Sequence, residues 1–135
     1  MSVDTWTDSG CKDDLLRAQT SVINTIQLFQ NNHTFVFGDV KANLTVATFT
    51  GYAGVSPSYA SNPTITSPGA TMVTNPAVFT VSGTAVSNTI YGWYALSNQT
   101  GTECSMGGTF AGGPFTMNVI GQTITVTLTV TAAEV

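Results

Sequence analysis

Alternation of apolar and polar residues is the strongest signal along this chain, and it is clearest near the C-terminus. From residue 123 to residue 131, isoleucine, valine and leucine occupy every second position and threonine occupies the others. A period of two places the apolar side chains on one face of a strand and the threonines on the opposite face. The pattern therefore predicts a strand over residues 123–131 with one buried face.

Shorter runs of β-branched and aromatic residues precede this strand, and glycine or proline separates them. They cover residues 24–30, 34–37, 44–50, 77–82, 89–96 and 115–119. About seven short strands divided by turn residues are typical of a two-sheet fold. We therefore predict a mainly β protein over residues 24–135, an antiparallel β-sandwich of jelly-roll or immunoglobulin-like type.

Three stretches depart from the strand pattern. Within residues 12–22, Asp13 and Asp14 precede apolar residues at helical spacing, which predicts a short helix. This helix would belong to an N-terminal helical segment or arm at residues 1–23. The stretch 54–76 has no firm period and is either a long loop or weak edge strands. Four glycines around Phe110, at positions 107, 108, 112 and 113, predict a tightly turned hairpin.

Composition changes this picture through its low charge. Of the 135 residues, 42% are apolar and only 7% are charged, whereas soluble domains carry roughly 25% charged residues. High hydrophobicity and low charge exclude a disordered chain. Six of the ten charged residues (three Lys+Arg and seven Asp+Glu) lie within residues 1–17, so the charge deficit belongs to the predicted β region.

The same composition excludes several classes of protein. No apolar run approaches the roughly 18 residues of a membrane span, and Asp4 and Asp8 stand where a secretory leader carries basic residues. Three basic residues are too few for the phosphate contacts that nucleic-acid binding requires. We therefore expect neither a membrane nor a nucleic acid as partner.

Residues for catalysis or metal binding are scarce. His33 is the single histidine, no G-x-S-x-G motif accompanies it, and we interpret it as a turn residue. Cys11 and Cys104 are 93 positions apart and lack the close spacing of structural zinc ligands. They form either a disulfide or, as two cysteines without a leader peptide favour, two free thiols. We expect no enzyme activity, no cofactor and no metal.

Aromatic residues supply the candidate interface. Tyr91 and Trp93 would share one face of a strand and Tyr94 the other, with Tyr59 and Phe110 completing the set. These rings either pack in the core or form a stacking platform for a sugar or an anchor at a protein interface.

The uncharged strand at residues 123–131 also has a consequence for assembly. Its sequence is β-prone and free of proline, which is the profile of an aggregating segment when it forms a bare edge. Covering such an edge requires another copy of the chain or a partner lattice. We therefore expect a homo-oligomer or a component of a larger assembly.

Four segments together resemble a widespread group of small tailed-bacteriophage proteins encoded among virion structural genes. They are LFQNNHT (residues 28–34), ATFTGYA (47–53), TIYGWYAL (89–96) and PFTMNVIGQTITVTLTVTA (114–132). The resemblance implies a virion part made in the cytoplasm of the host bacterium. Small β-sandwich proteins of phage particles commonly decorate or cement the capsid, so it further implies the major capsid protein or other virion proteins as partners.

Two other functions remain open at this point. A tail, baseplate or fibre component would have the same composition. A carbohydrate-binding β-sandwich module would use Trp93 and its neighbouring tyrosines.

Overall fold

The computed structural model describes residues 23–36, 38–59, 64–66, 69–97 and 101–132. The helix predicted at residues 12–22 and the N-terminal segment that contains it lie outside these ranges, as does Cys11. Ten strands occur in the described ranges: β1 (Ile23–Phe29), β2 (Thr64–Thr66), β3 (Gly69–Val73), β4 (Ala77–Thr80), β5 (Asn88–Ile90), β6 (Gly92–Ser97), β7 (Cys104–Thr109), β8 (Phe115–Met117), β9 (Thr123–Val126) and β10 (Thr129–Ala132).

The strands form antiparallel sheets, which confirms the predicted mainly β sandwich. One sheet has the order β1-β6-β7. The layer opposite it is built from β9 and β10, which pair in succession with β4 and β3, while β2 pairs with the other side of β3. Strand β5 precedes β6 in the chain, with Tyr91 between them, and β5 pairs with β8.

The main core lies between these layers, and the predicted alternation of buried and exposed residues is seen clearly in two of the strands that face it. In β4 and β9, Ala77, Phe79, Ile124 and Val126 are buried, whereas the residues between them are exposed. Ile26 and Leu28 of β1 join the same cluster. Burying a side chain the size of valine, isoleucine or phenylalanine contributes about 1.5–3 kcal/mol through the water that it releases. The alternation of apolar residues alone therefore favours this layer arrangement.

A second cluster covers the opposite face of the β1-β6-β7 sheet. Phe29, Leu44, Tyr94 and Leu96 are buried in it, and Phe35 packs against them. Strand β6 is therefore buried on both faces, with Ala95 in the main core. This double burial explains why the segment that contains β6 is rich in large apolar residues and lacks polar alternation.

Two predicted strands are absent from the described residues. The chain at 34–36 is a loop, and the stretch 44–50 makes a single isolated bridge, between Val46 and Phe29. Gly51, with a backbone φ of 93°, turns the chain so that only short pieces of it reach β1. The predicted strand at 89–96 is divided at Tyr91 into β5 and β6.

The glycine-rich hairpin prediction is half wrong. Gly107 and Gly108 lie inside β7, and the turn comes later, at Gly112 with a φ of 76°. A Cβ atom on Gly107 would lie 2.5 Å from Cε2 of Phe35, so the glycine allows that ring to lie against the strand. Within residues 54–76 the chain forms β2, which lies at the edge of its sheet as the alternative of weak edge strands predicts, and β3, which lies between β10 and β2 and is therefore not an edge strand.

Candidate interface on the β-sandwich

Tyr94 serves the core rather than the surface. The side chain has no exposed area, and its hydroxyl donates a hydrogen bond to Oε1 of Gln27 on the neighbouring strand. Burial raises the pKa of this hydroxyl above that of a free tyrosine. Tyr94 thus presents no surface to a partner.

The other predicted aromatic residues do not form one platform. Tyr91 lies between β5 and β6 and packs on the second cluster, whereas Trp93 packs on the main core. The expectation that they share a face is wrong because the strand is divided at Tyr91, which interrupts the alternation. Tyr59 is part of a separate small cluster with Met72. Phe110 packs on the main core, with its ring centroid 5.8 Å from that of Phe115.

Phe110 also lines a groove of about 500 Å³ that lies between β8 and β9. We call it the β8–β9 groove. Its lining residues are all uncharged: Phe110, Pro114, Phe115, Thr116, Met117, Gln122, Thr123, Ile124 and Thr125. Met117 and Ile124 are buried members of the main core, so the groove reaches down to the core itself.

Gln122 closes one end of this groove. Its Oε1 accepts hydrogen bonds from the backbone N–H groups of Asn118 and Val119, both at 2.8 Å. Its Nε2 donates to the carbonyl oxygen of Thr116 at 3.1 Å. The side-chain amide of Gln122 therefore ties the turn that follows β8 to the carbonyl oxygen of Thr116 in β8.

The turn beside the groove exposes large apolar side chains. Val119 is 57% exposed, Ile120 is 64% exposed, and Phe115 at the start of β8 is 40% exposed. Such residues at a turn are candidates for contact with another protein. Sequence reasoning missed them, although the run Asn118-Val119-Ile120-Gly121 combines turn residues at its ends with two apolar residues between them.

All charged residues of the described ranges lie outside this arrangement, in one corner at the start of β7. Two backbone contacts bring the segments that carry Asp39, Lys41 and Glu103 side by side. They are the bridge between Val40 and Glu103 and the hydrogen bond from the Lys41 N–H to the Thr102 carbonyl oxygen. A cavity of about 290 Å³ lies beside them and is lined in part by Cys104. We call this the charged corner.

Asp39 is the centre of the charged corner. Its Oδ2 accepts a hydrogen bond from the Val36 N–H at 2.7 Å and lies 2.9 Å from Nε2 of His33. These two contacts lower the pKa of the carboxyl group. His33 lies in a loop, as expected for a turn residue, but its partner was not predicted.

Cys104 is partly buried, and burial together with the charge of Asp39 raises the pKa of its thiol. A raised thiol pKa keeps the sulfur protonated, which is the opposite of what a nucleophilic cysteine needs. Within the described ranges, no three His, Cys, Asp or Glu side chains lie close enough to hold a metal ion.

In the part of the chain that the structure describes, no helix is long and apolar enough to cross a membrane. No family model, curated protein or solved structure matches this chain.

Proposed function

We propose that this protein is a structural component of a bacteriophage particle, most specifically a capsid decoration or cement protein without catalytic activity. The observation that carries the proposal is the distribution of charge over the described sandwich. Its three charged residues share one corner, whereas the β8–β9 groove and the turn at residues 118–122 are lined by uncharged side chains, namely apolar, hydroxyl and amide groups. The four segments that resemble phage virion proteins support the same assignment.

A neutral face of this kind suits permanent contact with a lattice. Burying a charge against a partner costs several kcal/mol of desolvation, and a surface of valine, isoleucine, phenylalanine and threonine avoids that cost. A protein that binds only the assembled shell stabilises the shell by linkage, and many weak sites on one lattice add up through multivalency. The proposed contact surface is therefore the turn at residues 118–122 together with Phe115.

Co-sedimentation with purified shells of the parent phage tests this function. We expect wild-type protein to sediment with the shells and the Ile120→Asp variant to remain in the supernatant. Val36→Asp is the matched control because Val36 is a similarly exposed valine, at 54%, beside the charged corner. The proposal fails if wild-type protein does not bind, and the contact surface is wrong if both variants bind equally. Electron microscopy of the particle would separate a capsid position from one in the tail or baseplate.

A further inference from the structure

Strand β7 forms an edge of the β1-β6-β7 sheet that the described residues cover only at its beginning. There, at the charged corner, the Cys104 N–H donates to the carbonyl oxygen of Asp39. From Met106 to Thr109 the register with β6 is regular, and no described segment bridges the other side of the strand. With six residues, β7 is the longest described strand that has such an edge.

Two residues of β7 direct backbone groups outwards from this edge. Alternate residues of an antiparallel strand turn their N–H and C=O groups to opposite sides. The Phe110 N–H donates to the carbonyl oxygen of Tyr91 at 3.0 Å, so the even-numbered residues of this stretch face the β6 side. Gly107 and Thr109 therefore face away from the sheet, and their N–H and C=O groups have no partner among the described residues. Edges of this kind are the positions at which a further strand adds to a sheet.

This edge also lacks the side chains that keep sheet edges apart. Lysine and proline are the usual protection, and residues 105–109, Ser-Met-Gly-Gly-Thr, contain no charged residue and no proline. No charged residue follows Glu103 in the sequence until Glu134. The exposed part of β7 therefore carries no charge that would repel an identical edge.

Gly108 and Trp93 indicate where a second strand meets β7. Glycine weakens the interior of a strand and often marks a place where another backbone approaches closely. Phe35 explains the glycine at Gly107, whereas a Cβ atom on Gly108 would lie 3.9 Å from its nearest neighbour, Nε1 of Trp93. The indole of Trp93 thus lies over Gly108, and part of its surface is exposed. Tryptophan is among the residues that most often anchor protein interfaces.

We propose that two copies of the chain pair through β7, antiparallel and about a two-fold axis beside Gly108. In this register Gly107 of each copy lies opposite Thr109 of the other, and each such pair exchanges its outward N–H···O=C hydrogen bonds. The axis is perpendicular to the sheet, so the two Trp93 side chains lie on the same face of the joined sheet. The two charged corners lie at opposite ends of the paired strands, about 30 Å apart, where salt screens their repulsion.

The occupant of the edge is a second copy because β7 is complementary to itself. Each copy supplies to the other the same outward-facing backbone groups and the same partly exposed indole. The inference goes beyond the virion assignment and does not depend on it, because it concerns only how the open edge of this sheet is completed.

Sedimentation of the full chain tests the proposal with two variants of one residue. Proline lacks the N–H and is tolerated where that group of an edge strand faces outwards, so Thr109→Pro should leave the contacts with β6 in place. We expect wild type to sediment as a dimer and Thr109→Pro to raise the dissociation constant at least about ten-fold. Thr109→Ala, which keeps the N–H, is the matched control and should remain dimeric. A monomeric wild type, or equal dissociation constants for the two variants, would overturn the proposal.

Hydrogen exchange of the wild-type protein locates the interface without any substitution. We expect the amides of Gly107 and Thr109 to exchange at least about ten-fold more slowly in the dimer than after dilution to the monomer. The amides of Met106 and Gly108 face β6 and should be protected at both concentrations, which makes them the internal control. Unprotected Gly107 and Thr109 amides in a dimer would place the interface elsewhere, and protection in the monomer would show that the same chain covers the edge. Either result would overturn the proposal.

Discussion

The outer edge of β1 and the β8–β9 groove present the same chemistry, backbone N–H and C=O groups along the side of a strand. At β1 the described chain covers that edge. Ile26 exchanges two backbone hydrogen bonds with Val55, at 2.8 and 3.0 Å, and the Gln30 N–H donates to Thr45 at 2.8 Å. At the groove, the described residues supply one side chain, Gln122, at one end.

Tyr52 shows how the covered edge is completed where the backbone does not reach. Its hydroxyl accepts a hydrogen bond from the Leu28 N–H at 3.0 Å, between the two backbone contacts. The ring is fixed by stacking on Phe79 at 5.8 Å and by an edge contact with Phe49 at 5.2 Å. The comparison teaches that the described chain covers the β1 edge with both backbone and side-chain groups, whereas at the groove it contributes the side chain of Gln122.

The floor of the groove should give the largest effect on stability, because it belongs to the core. Met117 is 2% exposed, and we expect Met117→Ala to lower the free energy of unfolding by about 2–5 kcal/mol, the usual cost of such a cavity. Urea unfolding followed by fluorescence measures it. The neighbouring exposed residue gives the control, since Thr116→Ala should change stability by less than about 0.5 kcal/mol. Equal effects of the two variants would show that the groove floor is not part of the core.

The covered edge should respond to the loss of one hydroxyl. Tyr52→Phe keeps the ring contacts but leaves the Leu28 N–H without its acceptor, and we expect a loss of about 1–3 kcal/mol. Burial raises the pKa of Tyr52 to about 12. A raised pKa contributes stability that is complete below the unfolded value of about 10 and is lost as the pH rises from there towards 12.

The stability difference between wild type and Tyr52→Phe should therefore be constant up to about pH 10 and shrink above it. Urea titrations at pH 7, 9 and 11 measure this difference. Burial raises the pKa of Tyr94 in both proteins, whereas the further increase caused by the Tyr52 charge is lost in Tyr52→Phe, so the Tyr94 contribution cancels only in part. A difference that stays constant through pH 11 would contradict a buried Tyr52 hydroxyl.

The open edge should respond more weakly. Gln122→Ala removes an amide whose hydrogen bonds are exposed to water, so we expect a loss of about 1 kcal/mol. Thr123→Ala, which removes only an exposed side chain next to it, is the control for stability. If Gln122→Ala were as costly as Tyr52→Phe, the two edges would be equally dependent on their covering side chains and the contrast between them would be lost.

The sequence predicted the elements whose burial follows a simple period and missed those that depend on distant contacts. The single strand predicted at residues 123–131 is divided into β9 and β10, but its alternation holds, with Ile124, Val126 and Leu128 buried. Strand β7 was missed because Gly107 has a poor strand propensity, and only the ring of Phe35, far away in sequence, explains why glycine is required there.

The candidate site was less predictable for the same reason. Of the five predicted aromatic residues, Phe110 alone lines the groove. The groove exists because β8 pairs with β5 and β9 pairs with β4, although β8 and β9 are neighbours in sequence. No local sequence pattern predicts this pairing. The sequence could have drawn attention to Val119 and Ile120, which are apolar residues inside a turn.

The smallest effect should come from the charged corner, where the Asp39 carboxylate contacts Val36 and His33 in the loop that lies beside β7. Asp39 holds the loop before β7 by accepting a hydrogen bond from Val36, and its own carbonyl accepts one from the Cys104 N–H at 3.4 Å. Asp39→Asn keeps an oxygen for Val36 but loses the charge that His33 contacts.

The Val36 and His33 contacts lower the pKa of Asp39. A lowered pKa contributes stability that is present above the unfolded value of about 3.9 and is lost as the pH falls through the folded value. Wild type should therefore be the more stable protein at pH 7, and in urea titrations its advantage should shrink progressively as the pH falls below the unfolded value of about 3.9. Glu103→Gln removes a carboxylate from the same corner without removing the Asp39 contacts with Val36 and His33, so it should retain the wild-type acid dependence. An advantage over Asp39→Asn that does not shrink as the pH falls would show that the corner is held by shape and not by charge.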